Sequence, residues 1–175
     1  MALTDEQLVG RGVRQRLVRM VRDSAGAFPG EEVLDLGSPD GFLARGLARE
    51  SPRWTLYSPE ARSNEDNLVP VRLVGSRLPF ADKQVAAAVA AFVDDRPSRL
   101  SAALVRDLYR VLAPRGRILL LGRSATSRAP DVQRTVPEEA AAWLTEAGFG
   151  RVANRRIMHL ADGSEVSLLE ATKPL

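Results

Sequence analysis

Hydrophobic and polar positions alternate along the chain in blocks that predict strands and helices in turn. Apolar residues three or four positions apart predict helices that begin at Thr4 and that cover 42–50, 98–112 and 138–147. Short apolar runs predict strands at 33–36, 54–57, 71–75, 85–93 and 117–122. The run 85–93 is typical of a strand buried on both faces, although its alanines also suit a helix. The alternation predicts an α/β protein with a doubly wound, mostly parallel sheet.

The last part of the chain has a different pattern. Two apolar runs, 152–160 and 165–172, follow each other with no helix between them. The four residues that separate them, Ala161-Asp162-Gly163-Ser164, are typical of a hairpin turn. We therefore expect an antiparallel hairpin at one edge of the sheet.

Composition fits one compact domain. The chain has 175 residues, of which 45% are hydrophobic and 27% are charged, and this balance argues against disorder. It has no cysteine, so disulfides and cysteine metal sites are excluded, and we find no other metal ligands at useful spacing. No apolar run approaches the roughly 20 residues that span a bilayer. With no secretory pattern near the N-terminus, we expect a cytoplasmic protein.

Arginine dominates the positive charge. The formal net charge is +3, and 23 of the 25 basic residues are arginine. In the predicted N-terminal helix, four of them lie opposite the apolar positions Val13 and Leu17: Arg11, Arg14, Arg19 and Arg22. This arginine face is either an ordinary solvated surface or a contact for an acidic protein or an RNA.

The most informative segment is 33–44, VLDLGSPDGFLA. An apolar strand ends in Asp35, and a loop with Gly37 and Gly41 then leads into a helix. Glycines allow the backbone to approach a ligand closely, and the N–H groups at a helix start face that ligand. This arrangement is typical of nucleotide-binding turns.

The same segment resembles motif I of the class I S-adenosylmethionine-dependent methyltransferases. In that family a strand-end acid and a G-x-G-x-G turn hold the cofactor. Two further segments are similar to the small members called type 11: GSRLPFADKQVAAAVAAFV at 75–93 and RDLYRVLAPRGRILLLGRS at 106–124. The E-A-G-F at 146–149, followed by a hairpin, is also typical of this family.

Together with the alternating pattern, these motifs predict a Rossmann-like sheet of seven strands in the order 3-2-1-4-5-7-6. The whole chain, residues 1–175, is expected to be one methyltransferase-like domain. Within it, 1–29 form an N-terminal helix and turn, and 30–175 form the core. The hairpin at 152–172 supplies the antiparallel edge.

The resemblance also implies a binding site for S-adenosylmethionine. Its residues would be the motif I positions, the end of the second strand and a serine after the third strand: Asp35, Gly37, Ser38, Gly41, Leu56, Tyr57 and Ser76.

Two of these positions depart from the family pattern. Pro39 stands at the middle glycine of the turn, where it fixes φ and removes a backbone donor. Leu56 stands where the family has the acid that binds both ribose hydroxyls, and leucine cannot accept a hydrogen bond. Glu60 is the nearest acidic replacement. The cofactor site is therefore degenerate.

Catalytic residues are not evident from the sequence. Methyl transfer can proceed largely by proximity and alignment, so no single base is required. Asp94 and Asp95, which follow the fourth predicted strand, are the candidates because ligands bind at the carboxyl ends of such strands. Two functions stay open: a methyltransferase acting on a small molecule, or an inactive pseudo-methyltransferase that serves as a binding or scaffold subunit for a protein or RNA partner.

Overall fold

The computed structural model describes residues 10–62, 64–92, 100–132 and 134–175 and builds them around one sheet. In chain order, the strands are β1 (Glu32–Asp35), β2 (Thr55–Ser58), β3 (Leu68–Pro70), β4 (Val85–Ala91), β5 (Leu112–Ser124), β6 (Gly150–His159) and β7 (Glu165–Thr172). The α-helices of the described residues are α1 (Arg11–Ala25), α2 (Phe42–Glu50), α3 (Ala102–Val111) and α4 (Ala140–Glu146).

The predicted strand order is confirmed. The sheet has seven strands in the order β3-β2-β1-β4-β5-β7-β6. The first five of these are parallel, whereas β7 is antiparallel to β5 and to β6. The alanine-rich segment is strand β4 and not a helix. The C-terminal hairpin lies at the edge of the sheet, as its turn sequence indicates.

Successive strand residues point to opposite faces of the sheet, and the apolar residues form a core on each face. On one face, α1 and α2 pack against Val33, Val89 and Leu121. On the other face, α3 and α4 pack against Leu34 and Leu120. Because β1 and β4 are covered on both faces, their residues are almost all buried, which explains the continuous apolar runs in the sequence.

The bounds of several predicted elements differ from the structure, and the fifth strand, predicted at 117–122, covers Leu112–Ser124. The third strand covers Leu68–Pro70 and not 71–75, because its neighbour β2 ends at Ser58. The Ser58 carbonyl accepts a hydrogen bond from the Val71 N–H, and β2 has no further residue with which 72–75 could pair. The predicted helix 98–112 is α3, which begins later, after Ser101. The Ser101 hydroxyl caps it by accepting a hydrogen bond from the Leu104 N–H at 3.2 Å.

Some predictions fall outside the described residues. The helix start at Thr4 lies in 1–9, and the candidates Asp94 and Asp95 lie in 93–99. Within the described ranges, no helix is long and apolar enough to cross a membrane. The same ranges contain no cluster of three side chains that could hold a metal ion.

Candidate functional site

The turn after β1 has the strongly bent backbone of a glycine-rich loop. Gly37, Asp40 and Gly41 have positive φ angles of 138°, 56° and 69°. Pro39 begins a short 3-10 turn, Pro39–Gly41. The hydroxyl of Ser38 accepts a hydrogen bond from the Leu43 N–H at 3.1 Å, so it satisfies a donor in the first turn of α2.

Asp35 connects this turn to the end of β2. One carboxylate oxygen accepts a hydrogen bond from the Gly37 N–H at 3.0 Å, and the other accepts one from the Ser58 hydroxyl at 2.8 Å. The Ser58 oxygen in turn accepts a hydrogen bond from the Glu60 N–H at 3.1 Å. Asp35 and Ser58 are both fully buried. We call this chain of contacts the Asp35 network; it was missed from the sequence, where Ser58 carried no signal of its role.

The end of β2 places its two predicted cofactor residues on opposite faces of the sheet. Leu56 is fully buried in the core beneath α1 and α2. Tyr57 packs its ring edge against Phe80 at 5.0 Å between centroids and donates a hydrogen bond to Glu32 at 2.8 Å. Burial and the bond to Glu32 raise the pKa of Tyr57 above its ordinary value. Both side chains are therefore engaged in packing.

Glu60 lies directly against Gly41. A Cβ atom on Gly41 would be 3.0 Å from the Glu60 carbonyl oxygen and 3.3 Å from the Glu60 Cβ. A glycine is required here both for this contact and for the positive φ. Gly41 thus allows the loop that follows β2 to approach the glycine turn closely.

Ser76 is exposed in the turn between Val74 and Arg77. This segment is attached to α3, because Asp107 accepts a hydrogen bond from the Leu78 N–H at 2.5 Å and pairs with Arg77 at 3.5 Å. The structure brings Asp35, Gly37, Ser38 and Gly41 together at one turn. Within the described part of the chain, no hydrogen bond or ion pair links Ser76 to them.

A cavity of about 350 Å³ lies at the carboxyl end of β5. We call it the β5 cavity; its lining combines the apolar side chains of Leu120 and Leu169 with the polar side chains of Ser124, Ser167 and Asn154. Gly122 is needed in its wall, because a Cβ there would be 2.9 Å from Val136. The cavity suits a small molecule with both apolar and hydrogen-bonding groups.

Arg123, which also lines the β5 cavity, is held by the hairpin turn. It pairs with Asp162 and donates a hydrogen bond to the Ser164 hydroxyl at 2.9 Å. Burial raises the pKa of Asp162, but hydrogen bonds from Ser164 and the charge of Arg123 outweigh this and hold it below its ordinary value. The carboxylate therefore stays ionised and fixes the guanidinium at the rim.

The predicted arginine face of the first helix is arranged differently from the expectation. The side chain of Arg14 is only 15% exposed, because it pairs with Asp40 at 3.2 Å and covers the ring of Phe42. Arg19 and Arg22 both pair with Glu50 on α2, at 3.5 and 2.9 Å. Three of the four arginines thus contact the neighbouring part of the fold rather than pointing freely outward.

Comparisons with known proteins give structural matches alone. Neither the family models nor the curated protein sequences match the chain. The [4+2]-cyclase SpnF superposes with a TM-score of 0.73 at 16% identity, covering 98% of this chain and 84% of SpnF. An S-adenosylmethionine-dependent methyltransferase from Aquifex aeolicus gives 0.67 at 18% identity, covering 89% and 88%. The protein has the class I methyltransferase fold.

The methyltransferase-fold neighbours include cofactor complexes. The 1,6-didemethyltoxoflavin-N1-methyltransferase of Burkholderia thailandensis, with bound S-adenosylhomocysteine, superposes with a TM-score of 0.66 at 19% identity. The match covers 94% of this chain and 80% of that enzyme. Neighbours of this fold therefore include a cofactor-bound methyltransferase and a protein described as a cyclase.

The residues at the turn of this chain do not fit the cofactor on its ribose side. Leu56 offers no acceptor and lies in the core, and the carboxylate of Asp35 already bonds Gly37 and Ser58. The backbone of Glu60 fills the space beside Gly41.

Proposed function

We propose that this protein is a pseudo-methyltransferase: a binding protein that uses the methyltransferase fold without transferring methyl groups from S-adenosylmethionine. The observation that carries the proposal is the close packing of Glu60 against Gly41, which places a segment of the chain itself directly beside the glycine turn. The β5 cavity is then the candidate site for its ligand.

The free-energy cost of the missing ribose contacts predicts weak cofactor binding at most. A ribose hydroxyl that faces leucine instead of a carboxylate loses its partner, at a cost of about 1–3 kcal/mol each. A total of roughly 2–3 kcal/mol corresponds to about 30- to 150-fold in affinity.

Isothermal titration with S-adenosylmethionine and S-adenosylhomocysteine tests this proposal. We expect dissociation constants weaker than about 100 µM for both compounds. A dissociation constant of about 10 µM or tighter for either compound would contradict the proposal.

A second candidate function is methyl transfer to a small molecule. It is favoured by the turn itself, which keeps Asp35 and the bent backbone at Gly37 and Gly41. Tight binding in the titration would select this candidate. Asp94 and Asp95 would then be the first residues to substitute, and their role stays a prediction.

Ligand binding in the β5 cavity is tested by a thermal-shift screen of small metabolites. Ala141 lines the cavity, so Ala141→Trp should fill it and abolish the shift that any true ligand produces. Ala142 is exposed on the same helix, and Ala142→Trp is the matched control. Equal responses of the two variants would place the ligand elsewhere.

A further inference from the structure

A groove of about 290 Å³ lies between α1 and α2, and arginines from both helices line it. Arg11 and Arg14 come from α1, and Arg45 and Arg49 from α2, whereas Glu50 is the one acidic side chain in its lining. We propose that this groove, which we call the arginine groove, binds the phosphate group of a small phosphorylated ligand. The groove adjoins the glycine turn, because Arg14 pairs with Asp40 of that turn, and, among the described residues, it shares no lining residue with the β5 cavity.

Close packing of the two helices creates the arginine groove. A Cβ atom on Gly46 would be 2.5 Å from Val18 Cγ2, so only glycine allows α2 to approach α1 this closely. Residues three or four positions apart are neighbours on a helix surface. Arg11 and Arg14 therefore form one row, and Arg45 and Arg49 form a second row on the facing helix.

The charges inside the groove are not balanced. The carboxylate of Glu50 is already paired with Arg19 and Arg22 on α1. Arg49 pairs with Glu65 at 2.5 Å, but Arg11 and Arg45 make no ion pair within the residues that the structure describes. The groove therefore carries excess positive charge that an anion can neutralise.

Arg14 adds charge to the groove from a fixed position. Its Nη1 pairs with Asp40, and its guanidinium carbon lies 5.1 Å from the centre of the Phe42 ring. Its Nε is buried, and no acceptor among the described residues reaches it. Because this Nε is inaccessible to solvent, Arg14 acts on an anion in the groove through its charge and not by donating from this atom.

The shape of the groove favours a phosphate group over a polymer. Guanidinium groups bind phosphate oxygens in pairs through a planar fork. A volume of about 290 Å³ lies at the lower end of small-ligand sites. Phe42 is buried beneath Arg14, so it offers no surface on which an RNA base could stack. The helix α2 has nine residues, so it offers an acidic protein only a short contact surface.

Titrations with inorganic phosphate and pyrophosphate test the inference. We expect both anions to bind and to raise the melting temperature, pyrophosphate more strongly. The double variant Arg11→Gln/Arg45→Gln should weaken pyrophosphate binding at least about tenfold. Arg16→Gln is the matched control, because Arg16 is exposed on α1 and does not line the groove.

A second double variant controls for misfolding. Arg11→Lys/Arg45→Lys keeps the charge and removes the planar fork, so it should bind pyrophosphate with intermediate affinity. Absent binding to wild type, or equal weakening by Arg16→Gln, would overturn the inference. Tight binding of a 20-nucleotide oligouridine or of polyglutamate, with no response to pyrophosphate, would also overturn it in favour of an RNA or an acidic protein partner.

Discussion

At the residue scale, the contacts of each side chain explain the residues found at the predicted cofactor positions. Asp35 has the family's acid at the family's position, yet its carboxylate bonds Gly37 and Ser58. Leu56 is a core residue. The strand-end acid therefore has a structural role, because it satisfies the backbone of the turn.

Restoring an acid at Leu56 should not restore a cofactor site. Leu56→Asp would place a carboxylate in the fully buried core beneath α1 and α2. The lost packing and the desolvated charge should lower the free energy of unfolding by about 3 kcal/mol or more. Urea denaturation measures this, and Leu56→Val is the control that keeps the site apolar. A stable Leu56→Asp variant that binds S-adenosylmethionine would contradict our assignment.

Asp107 makes stability depend on pH in a defined window. Burial raises the pKa of Asp107, but its hydrogen bonds from Arg110 and Leu78 and the charges of Arg110 and Arg77 outweigh this and lower it. Because the folded-state pKa is below the unfolded value, the stabilisation is present at neutral pH and is lost as the pH falls through the folded-state pKa.

We therefore expect Asp107→Asn to cost stability at pH 7 and progressively less below about pH 4. Denaturant titrations at several pH values measure the difference from wild type. Asp131, which is exposed, supplies the control Asp131→Asn. A difference that stays constant down to pH 2 would show that the loss is steric rather than ionic.

At the element scale, the close packing of α1 against α2 depends on Gly46, which the sequence motifs do not identify. A Cβ on Gly46 would be 2.5 and 2.9 Å from the methyl groups of Val18, a buried β-branched side chain. Overpacking of this kind costs about 1–3 kcal/mol. Alanine gains only about 1 kcal/mol over glycine in a helix. Gly46→Ala should therefore lower the free energy of unfolding.

Gly12 is the matched control for this substitution. It also lies in a helix, and a Cβ there would have no neighbour within 4 Å. Gly12→Ala should leave stability unchanged or raise it by up to about 1 kcal/mol. The double variant Gly46→Ala/Val18→Ala should recover part of the loss. Thermal unfolding of all three variants decides whether the helix contact is as close as the structure indicates.

Elements were predicted better than contacts for a physical reason. The strand order follows from the alternating pattern together with the methyltransferase-like motifs, and the hairpin follows from its apolar runs and turn residues; both are confirmed. The third strand was misplaced because Val71 and Leu73 look like a strand, whereas pairing stops where β2 ends. The Glu60–Gly41 contact joins residues from different loops, and the sequence pattern of either loop says nothing about the other.

At the scale of the whole molecule, the two faces of the sheet share their strands. The core beneath α1 and α2 and the core beneath α3 and α4 both use β4 and β5, whose successive residues point to opposite faces. Loss of packing on one face should therefore disturb the strands that support the other. This arrangement predicts one cooperative unfolding unit.

The two tryptophans provide the test, because each reports on one face. Trp54 is buried in the core beneath α1 and α2, and Trp143 on α4 packs against the opposite core. We expect Trp54→Phe and Trp143→Phe, which each leave one tryptophan, to unfold with tryptophan fluorescence midpoints that coincide with their own far-UV circular dichroism midpoints. Separate fluorescence and dichroism midpoints within either variant would show that one face unfolds before the other and would contradict a single domain.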